Sequence, residues 1–361
     1  MPDNSRTLLN FVAQVAGDRY LKIEKDLGDG FVELKLSEAD KRQAKHDIRS
    51  VEDIAVELLR NSRDASSNII FFATTKENQA LRHVTVIDDG EGIPLHLQTK
   101  VFDPRVTSRL SKIVQDAYGV HGRGMALFAI RQIAREASIR FAAPARGCCI
   151  RVAVELSVLP EKKDQSTMPV VKRRGGDLTL VGPHNLPRVV LEFAVGHPEI
   201  EVYYGSPAEI LSTMYWLSRP LVGNKAYGEL LVNPDVKFWR CMGGVRDASQ
   251  LATVARDRLG LIISERNASR IVRKEIEPVT DITGLFGAGP EKRSRREVKL
   301  EGALPVADRI SPEDLDAFTQ AVIGSLKQLG QKYYLSPAVT RIDKEGNTLV
   351  IRVELADQEP V

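Results

Sequence analysis

From Ser50 onward the apolar residues Val51, Ile54, Ala55, Leu58 and Leu59 recur at intervals of three and four. That spacing predicts a helix over SVEDIAVELLRNSRDA with Ser50 as its N-cap, and it leaves Glu57 and Asn61 sharing one face. Two β-like runs follow, NIIFFATT and RHVTVID, and the second leads straight into DDGEGIP, a turn signal dense in Asp and Gly. In YGVHGRGMALFAIRQIAREAS, glycines open a strongly apolar-periodic helix. SIRFAA, CCIRVAVELSV and RVVLEFAV read as further strands. PEKKDQSTMPVVKRRGGDL is polar, basic and rich in Pro and Gly, so it reads as an exposed loop or hairpin connection, with LTLVGPHNLPRVVLEFAV continuing the same sheet. The alternation predicts an α+β fold, a mixed sheet layered with helices. The first domain is expected to span residues 1–220 and to end after the helix-like PAEILSTMYWL. Residues 221–361 are expected to be mostly helical, through ASQLATVARDRLG, RNASRIVRKEI and PEDLDAFTQAVIGSLKQLG, with a final strand TLVIRVEL.

Composition narrows the class. With 361 residues, 43% of them hydrophobic, the chain is long enough for about two domains with substantial cores. Cys148, Cys149 and Cys241 make an odd count without metal-ligand spacing, which argues against a disulfide framework or a zinc site and for a reducing, cytoplasmic setting. The N-terminus lacks the basic start and apolar run of a signal peptide, and no stretch of about 18 apolar residues suggests a membrane span. A formal net charge of +3 is near balance, so contact with nucleic acid has to rest on local patches such as EKRSRREVK, residues 291–299. A solvated loop accounts for that run as well.

Three short motifs carry candidate chemistry. In the first, Glu57 stands one helical turn before Asn61, with Asp64 and Ala65 after them. An acid there can polarise a water while a carboxamide oxygen ligates a hard cation such as Mg²⁺. An amphipathic helix with a polar face would look the same. In the second, Asp88, Asp89, Gly90, Glu91, Gly92 and Ile93 end an apolar strand. A buried Asp88 can accept a hydrogen bond from an adenine amino group, and glycine lets backbone approach the base, though an ordinary turn is the alternative. In the third, Gly119, Gly122 and Gly124 bring exposed N–H groups to a helix start with Arg123 among them, which makes either a phosphate cradle or a flexible loop.

In order and spacing, residues 50–130 resemble the N-box and the two glycine boxes of the GHKL superfamily. The resemblance implies a Bergerat fold that binds ATP with Mg²⁺. It places Mg²⁺ on Asn61 and adenine on Asp88, Gly90, Gly92 and Ile93. The phosphates would lie under Gly119, Gly122, Arg123 and Gly124, with Ser108 in the lid, and Asp64, Thr107, Val120, His121 and Met125 would be further ATP-binding residues. Glu57 stands where topoisomerases, MutL proteins and the heat-shock chaperone carry their general base, which favours hydrolysis over transfer to a histidine. Anti-sigma-factor serine kinases carry that acid too.

The stretch GIPLHLQTKVFDPRVTSRLSKIVQDAYGVHGRGMALFAI is more specifically similar to the B subunit of topoisomerase VI, with Ser108-Arg109 where that family has Ser-Lys. ASQLATVARDRLGLIISERNASRIV resembles its helix-two-turns-helix insert, and the C-terminal part resembles a shortened transducer. Leu127 stands at a family glycine position, and Lys299, Lys327 and Lys344 are alternatives for a γ-phosphate lysine. The resemblance implies slow hydrolysis closing an ATP-dependent homodimer, with a topoisomerase A-like or nuclease partner, DNA as a further ligand and no membrane. The readings left beside it are an ATP-sensing binding module and an anti-sigma-type serine kinase.

Overall fold

The structure, a computed structural model, describes residues 23–35, 47–108, 114–116, 119–121, 124–162, 164–174, 177–283, 335–345 and 348–357, with isolated positions between 315 and 326. The chain divides into two compact units, Met1–Gly289 and Pro290–Val361.

Among the described residues of the first unit, a hairpin of β1 (Ile23–Gly28) and β2 (Phe31–Leu34) comes before helix α1 (Val51–Asp64). Strands β3 (Ile69–Glu77) and β4 (Leu81–Asp88) come next, then the short β5 (Val106–Thr107), β6 (Val114–Asp116) and β7 (Gly119–His121). Helix α2 (Ala126–Ile133) leads to β8 (Glu136–Ala143) and β9 (Gly147–Glu155). A second hairpin, β10 (Val170–Arg174) with β11 (Asp177–Val181), precedes α3 (Leu186–Gly196), β12 (Glu201–Gly205) and α4 (Pro207–Val222). The unit continues through α5 (Tyr227–Val232), the 3₁₀ segment Phe238–Gly244, α6 (Ala248–Val254), a π turn at Ala255–Leu259 and α7 (Glu265–Val272). In the second unit, β13 (Leu335–Glu345) and β14 (Thr348–Asp357) form an antiparallel hairpin, so the expected final strand is present.

Five strands form the central sheet in the order β12-β3-β4-β9-β8. β12 runs parallel to β3 and the other pairings are antiparallel, giving the expected mixed sheet. Alternating side chains serve two cores. Ile70, Phe72, Val84, Val86, Cys148, Ile150 and Val152 face a core shared with α1, α2 and α3. Phe71, Ala73, Ile87, Cys149 and Tyr203 face a second core shared with α4, the 3₁₀ segment, α6 and α7. Helices thus cover both faces, which is why β3 reads as an unbroken apolar run.

Several expectations change. RVVLEFAV is helix, not strand. Asn185 caps it, its side chain accepting from Arg188 N at 3.1 Å, and Pro187 suits the first turn. The buried residues Leu186, Val189, Val190, Phe193 and Ala194 follow a helical period that the β-branched composition obscures. LTLV belongs to the β10–β11 hairpin rather than to the central sheet. The helix expected at Gly119 starts at Ala126, while Gly119–His121 lie in β7, paired with β6. The expected division at residue 220 falls inside α4, and the first unit runs on to Gly289.

Candidate functional site

Helix α1 is held in place by its apolar side. Val51, Ile54, Ala55, Leu58 and Leu59 are at most 1% exposed, and at the start Asp53 Oδ2 accepts from the backbone N–H of Ser50 at 2.9 Å and of Arg49 at 2.8 Å. The polar side faces a cavity of about 850 Å³, within the usual size range of small-molecule sites. Glu57, Asn61, Asp64 and Ala65 line it from α1, and Asp88, Gly92 and Ile93 from the turn after β4. Thr107 and Ser108 enter from β5 and the residue after it, and Gly124 and Met125 from the approach to α2. Elements far apart in sequence thus converge on one space.

The turn after β4 is dictated by close backbone packing. Gly92 has φ +72°, and a Cβ there would lie 1.9 Å from the Ala143 carbonyl oxygen. Gly90 is not one of the lining residues. A side chain on it would meet the Ala65 carbonyl at 2.6 Å, so this glycine lets the end of α1 seat against the turn. Glu91 N donates to that same Ala65 carbonyl at 2.8 Å. Asp89 accepts from the N–H groups of Asn68 (2.7 Å) and Ile69 (3.0 Å), anchoring the turn to β3.

Asp88 is buried beneath this turn. Burial pushes its carboxyl up from 3.8 to about 6, against the pull of the Gly90 N–H at 2.9 Å and the Ser62 hydroxyl at 3.0 Å, both of which donate to it. Cys148 stands opposite Asp88 in the β4–β9 register, and burial together with that carboxylate drives its thiol well above its ordinary range. The result is a buried oxygen acceptor in a partly apolar wall, suited to an exocyclic amine.

Glu57 accepts a 2.6 Å ion pair from Arg60, one turn further along α1. Asp64 accepts from the Arg63 guanidinium at 2.8 and 2.9 Å. Asn61 differs, because its buried amide Nδ2 has no hydrogen-bond partner among the described residues. A buried donor left unpaired costs about 1–3 kcal/mol unless a ligand completes it. The carboxamide oxygen beside it is a hard donor, and Mg²⁺, which takes most of its ligands from water and phosphate, needs few protein oxygens. These residues fit Mg²⁺ with a nucleotide.

Gly119, Val120 and His121 form β7, and Gly122 and Arg123 lie outside the described residues, as do Arg109, Lys299, Lys327 and the 291–299 run. Lys344 lies on β13. Gly124, with φ +66°, passes so close to β5 that a Cβ would meet the Val106 carbonyl at 2.7 Å. Sequence reasoning missed Asp29, Gly30 and Phe31, which line the cavity from the β1–β2 hairpin. The signal was there, since Asp-Gly between LG and FVEL is a strong two-residue hairpin turn. It also missed Arg60 and Cys148, which no motif marks.

Among the described residues no three His, Cys, Asp or Glu side chains group as a metal cluster, and no helix is long and apolar enough to cross a membrane. Over 91 residues the chain is 37% identical to the DNA mismatch repair protein MutL of Thermus thermophilus, in each of two strains. That match covers 24% of this chain and only 16% of the MutL chains. Residues 46–158 match the family of histidine kinase-, DNA gyrase B- and HSP90-like ATPases. The matched span holds α1, the turn after β4 and the approach to α2. The chain therefore carries a GHKL-type ATPase domain over residues 46–158.

Proposed function

We propose that this chain binds Mg-ATP in the cavity and hydrolyses it slowly, so that nucleotide occupancy drives dimer closure of a topoisomerase VI B-like clamp working with a DNA-processing partner. The observation that carries the nucleotide part is the convergence of Glu57, Asn61, Asp88, Gly92 and Gly124 on one cavity. In this reading Asp88 accepts from the adenine amino group and Gly92 admits the base. Asn61 supplies the protein oxygen for Mg²⁺, which, when bound, neutralises phosphate charge. The glycines up to Gly124 pass the phosphates to the start of α2. Glu57 orients the attacking water, so positioning supplies most of the acceleration. The clamp and its DNA-processing partner rest on the resemblance to topoisomerase VI and on the similarity to MutL, whose name ties it to DNA mismatch repair.

The Arg60–Glu57 pair favours a second reading. A guanidinium 2.6 Å from the base competes with water for the carboxylate, so an ATP-sensing module with little turnover is the main rival. Nucleotide binding and phosphate release by the intact chain and by Glu57→Ala separate the two. The proposal expects Glu57→Ala to bind ATP normally and to lose hydrolysis by 10²-fold or more, the upper part of the general-base range being about 10⁴. Equal turnover in both proteins removes Glu57 as base, and no turnover in either leaves the sensing module. Phosphate transferred to a serine of a partner protein would make it a kinase.

A further inference from the structure

Lys237 lies about 150 residues beyond the nucleotide turn in sequence, yet its Nζ donates to the Asp89 carbonyl at 2.6 Å and reaches the Gly90 carbonyl at 3.4 Å. It does not line the cavity. Instead it grips the outer side of the turn whose inner side carries Asp88 and Gly92. The lysine itself is held, because it stands at the head of the 3₁₀ segment, where the Phe238 N–H donates to the Arg146 carbonyl at 3.0 Å and the Phe238 ring stacks on Phe141, centroids 3.7 Å apart. Arg146 closes the frame. Its buried guanidinium donates to the carbonyls of Leu231 (2.6 Å), Val236 (2.8 Å) and Leu230 (3.2 Å).

The β8–β9 turn that carries Arg146 also touches the nucleotide turn directly. Ala145 N donates to the Glu91 carbonyl at 2.6 Å, and Gly147 packs so closely on Asp88 that a Cβ would lie 2.0 Å from its carbonyl oxygen. Residues 88–91 are thus braced by Lys237 on one side and by the β8–β9 turn on another, and both braces are tied to the segment 230–238.

We infer that Lys237 is a positioning residue for nucleotide binding, holding the Asp89-Gly90 backbone so that Asp88 and Gly92 present the adenine-binding surface. The inference rests on the reading of the cavity as an ATP site. A turn released from the ammonium samples other conformations, and affinity falls by the fraction of time the competent one is populated.

The test compares the full chain with Lys237→Met and Lys237→Arg, measuring ATP and ADP binding by calorimetry and folding by thermal unfolding. Lys237→Met should bind both nucleotides about tenfold more weakly, which is ~1.4 kcal/mol, because the turn and not the γ-phosphate is affected. Lys237→Arg should recover most of the loss, since a guanidinium can donate to the same carbonyls. Should Lys237→Met not fold, Lys237→Leu takes its place with the same expectation. Wild-type affinity in the folded Met or Leu variant, whatever its melting temperature, overturns the inference. So does a loss confined to ATP. A wild-type chain that binds neither nucleotide overturns the ATP reading itself and this inference with it, whereas normal wild-type binding with an unaffected variant removes Lys237 alone.

Discussion

At the scale of single residues, the site is expensive for the fold. Asp88 titrates in the folded chain at about 6 rather than 3.8, so the folded state holds that proton more tightly than the unfolded one. Stability from this group is therefore highest below pH 4 and declines as pH rises through the 4–6 window, by roughly 3 kcal/mol in all. An asparagine in its place keeps an acceptor for the Gly90 N–H and an amide for Ser62 without a buried charge. Asp88→Asn should accordingly become more stable relative to wild type as pH rises from 4 to 7 in urea titrations, while its ATP binding drops at least tenfold. A stability difference that does not change with pH would show that Asp88 bears no such burden. Gly92→Ala should fail differently. Its methyl would sit 1.9 Å from the Ala143 carbonyl at a φ of +72°, so the turn must move, and a loss of at least ~2 kcal/mol in unfolding free energy is expected together with loss of nucleotide binding. Both residues were legible because their types are dictated locally. Arg60 was not, since an arginine on a polar helix face carries no motif and its role depends on where the Glu57 side chain lies.

At the scale of elements, periodicity was readable where one stripe was buried and misleading where burial was wide. Helix α1 has a narrow apolar side and followed from its spacing alone. In α3 the buried residues Leu186, Pro187, Val189, Val190, Leu191, Phe193 and Ala194 cover most of the circumference, and Val-Val beside Leu mimics a strand. The decisive local fact is Asn185, fully buried, which caps α3 and whose Nδ2 also donates to the carbonyls of Asp164 (2.7 Å) and Thr167 (2.8 Å). One side chain thus starts the helix and closes the loop before β10. Asn185→Ala removes the cap and the two hydrogen bonds made by a fully buried amide, so it should cost ~2–4 kcal/mol by chemical denaturation. Asn185→Asp restores the cap and repels the two carbonyls, and should lie no closer to wild type than half that loss. A cost under 1 kcal/mol for Asn185→Ala would mean that solvent replaces these bonds. The β1–β2 hairpin was overlooked for a different reason. Its strands are short, six and four residues, and β1 alternates no apolar face, so the Asp29-Gly30 turn was the strongest signal it offered.

At the scale of the whole molecule, the sheet's second face shows why motif residues could gather at one cavity while the packing runs past the boundary expected at residue 220. Phe71, Ile87, Tyr203, Ile210, Leu211, Met214 and Tyr215 pack against Phe238, Trp239, Met242, Leu251, Leu259 and Ile271, so residues beyond 220 complete a core begun before residue 72. The boundary expected after PAEILSTMYWL falls inside α4 and is no end of packing. A chain stopped after residue 220 would lose the partners of that face and also Lys237 behind the turn after β4. Each large apolar side chain returned to water costs about 1.5–3 kcal/mol, and several together exceed the 5–15 kcal/mol by which a typical domain is stable. The expected result is that residues 1–220 expressed alone aggregate or bind a hydrophobic dye without a cooperative melt. Residues 1–289 should unfold in a single transition and bind ATP as the full chain does, since the lining and bracing residues described above all precede Gly289. A cooperative, nucleotide-binding 1–220 fragment would show that the first core stands by itself and that the helices to residue 272 are an added layer.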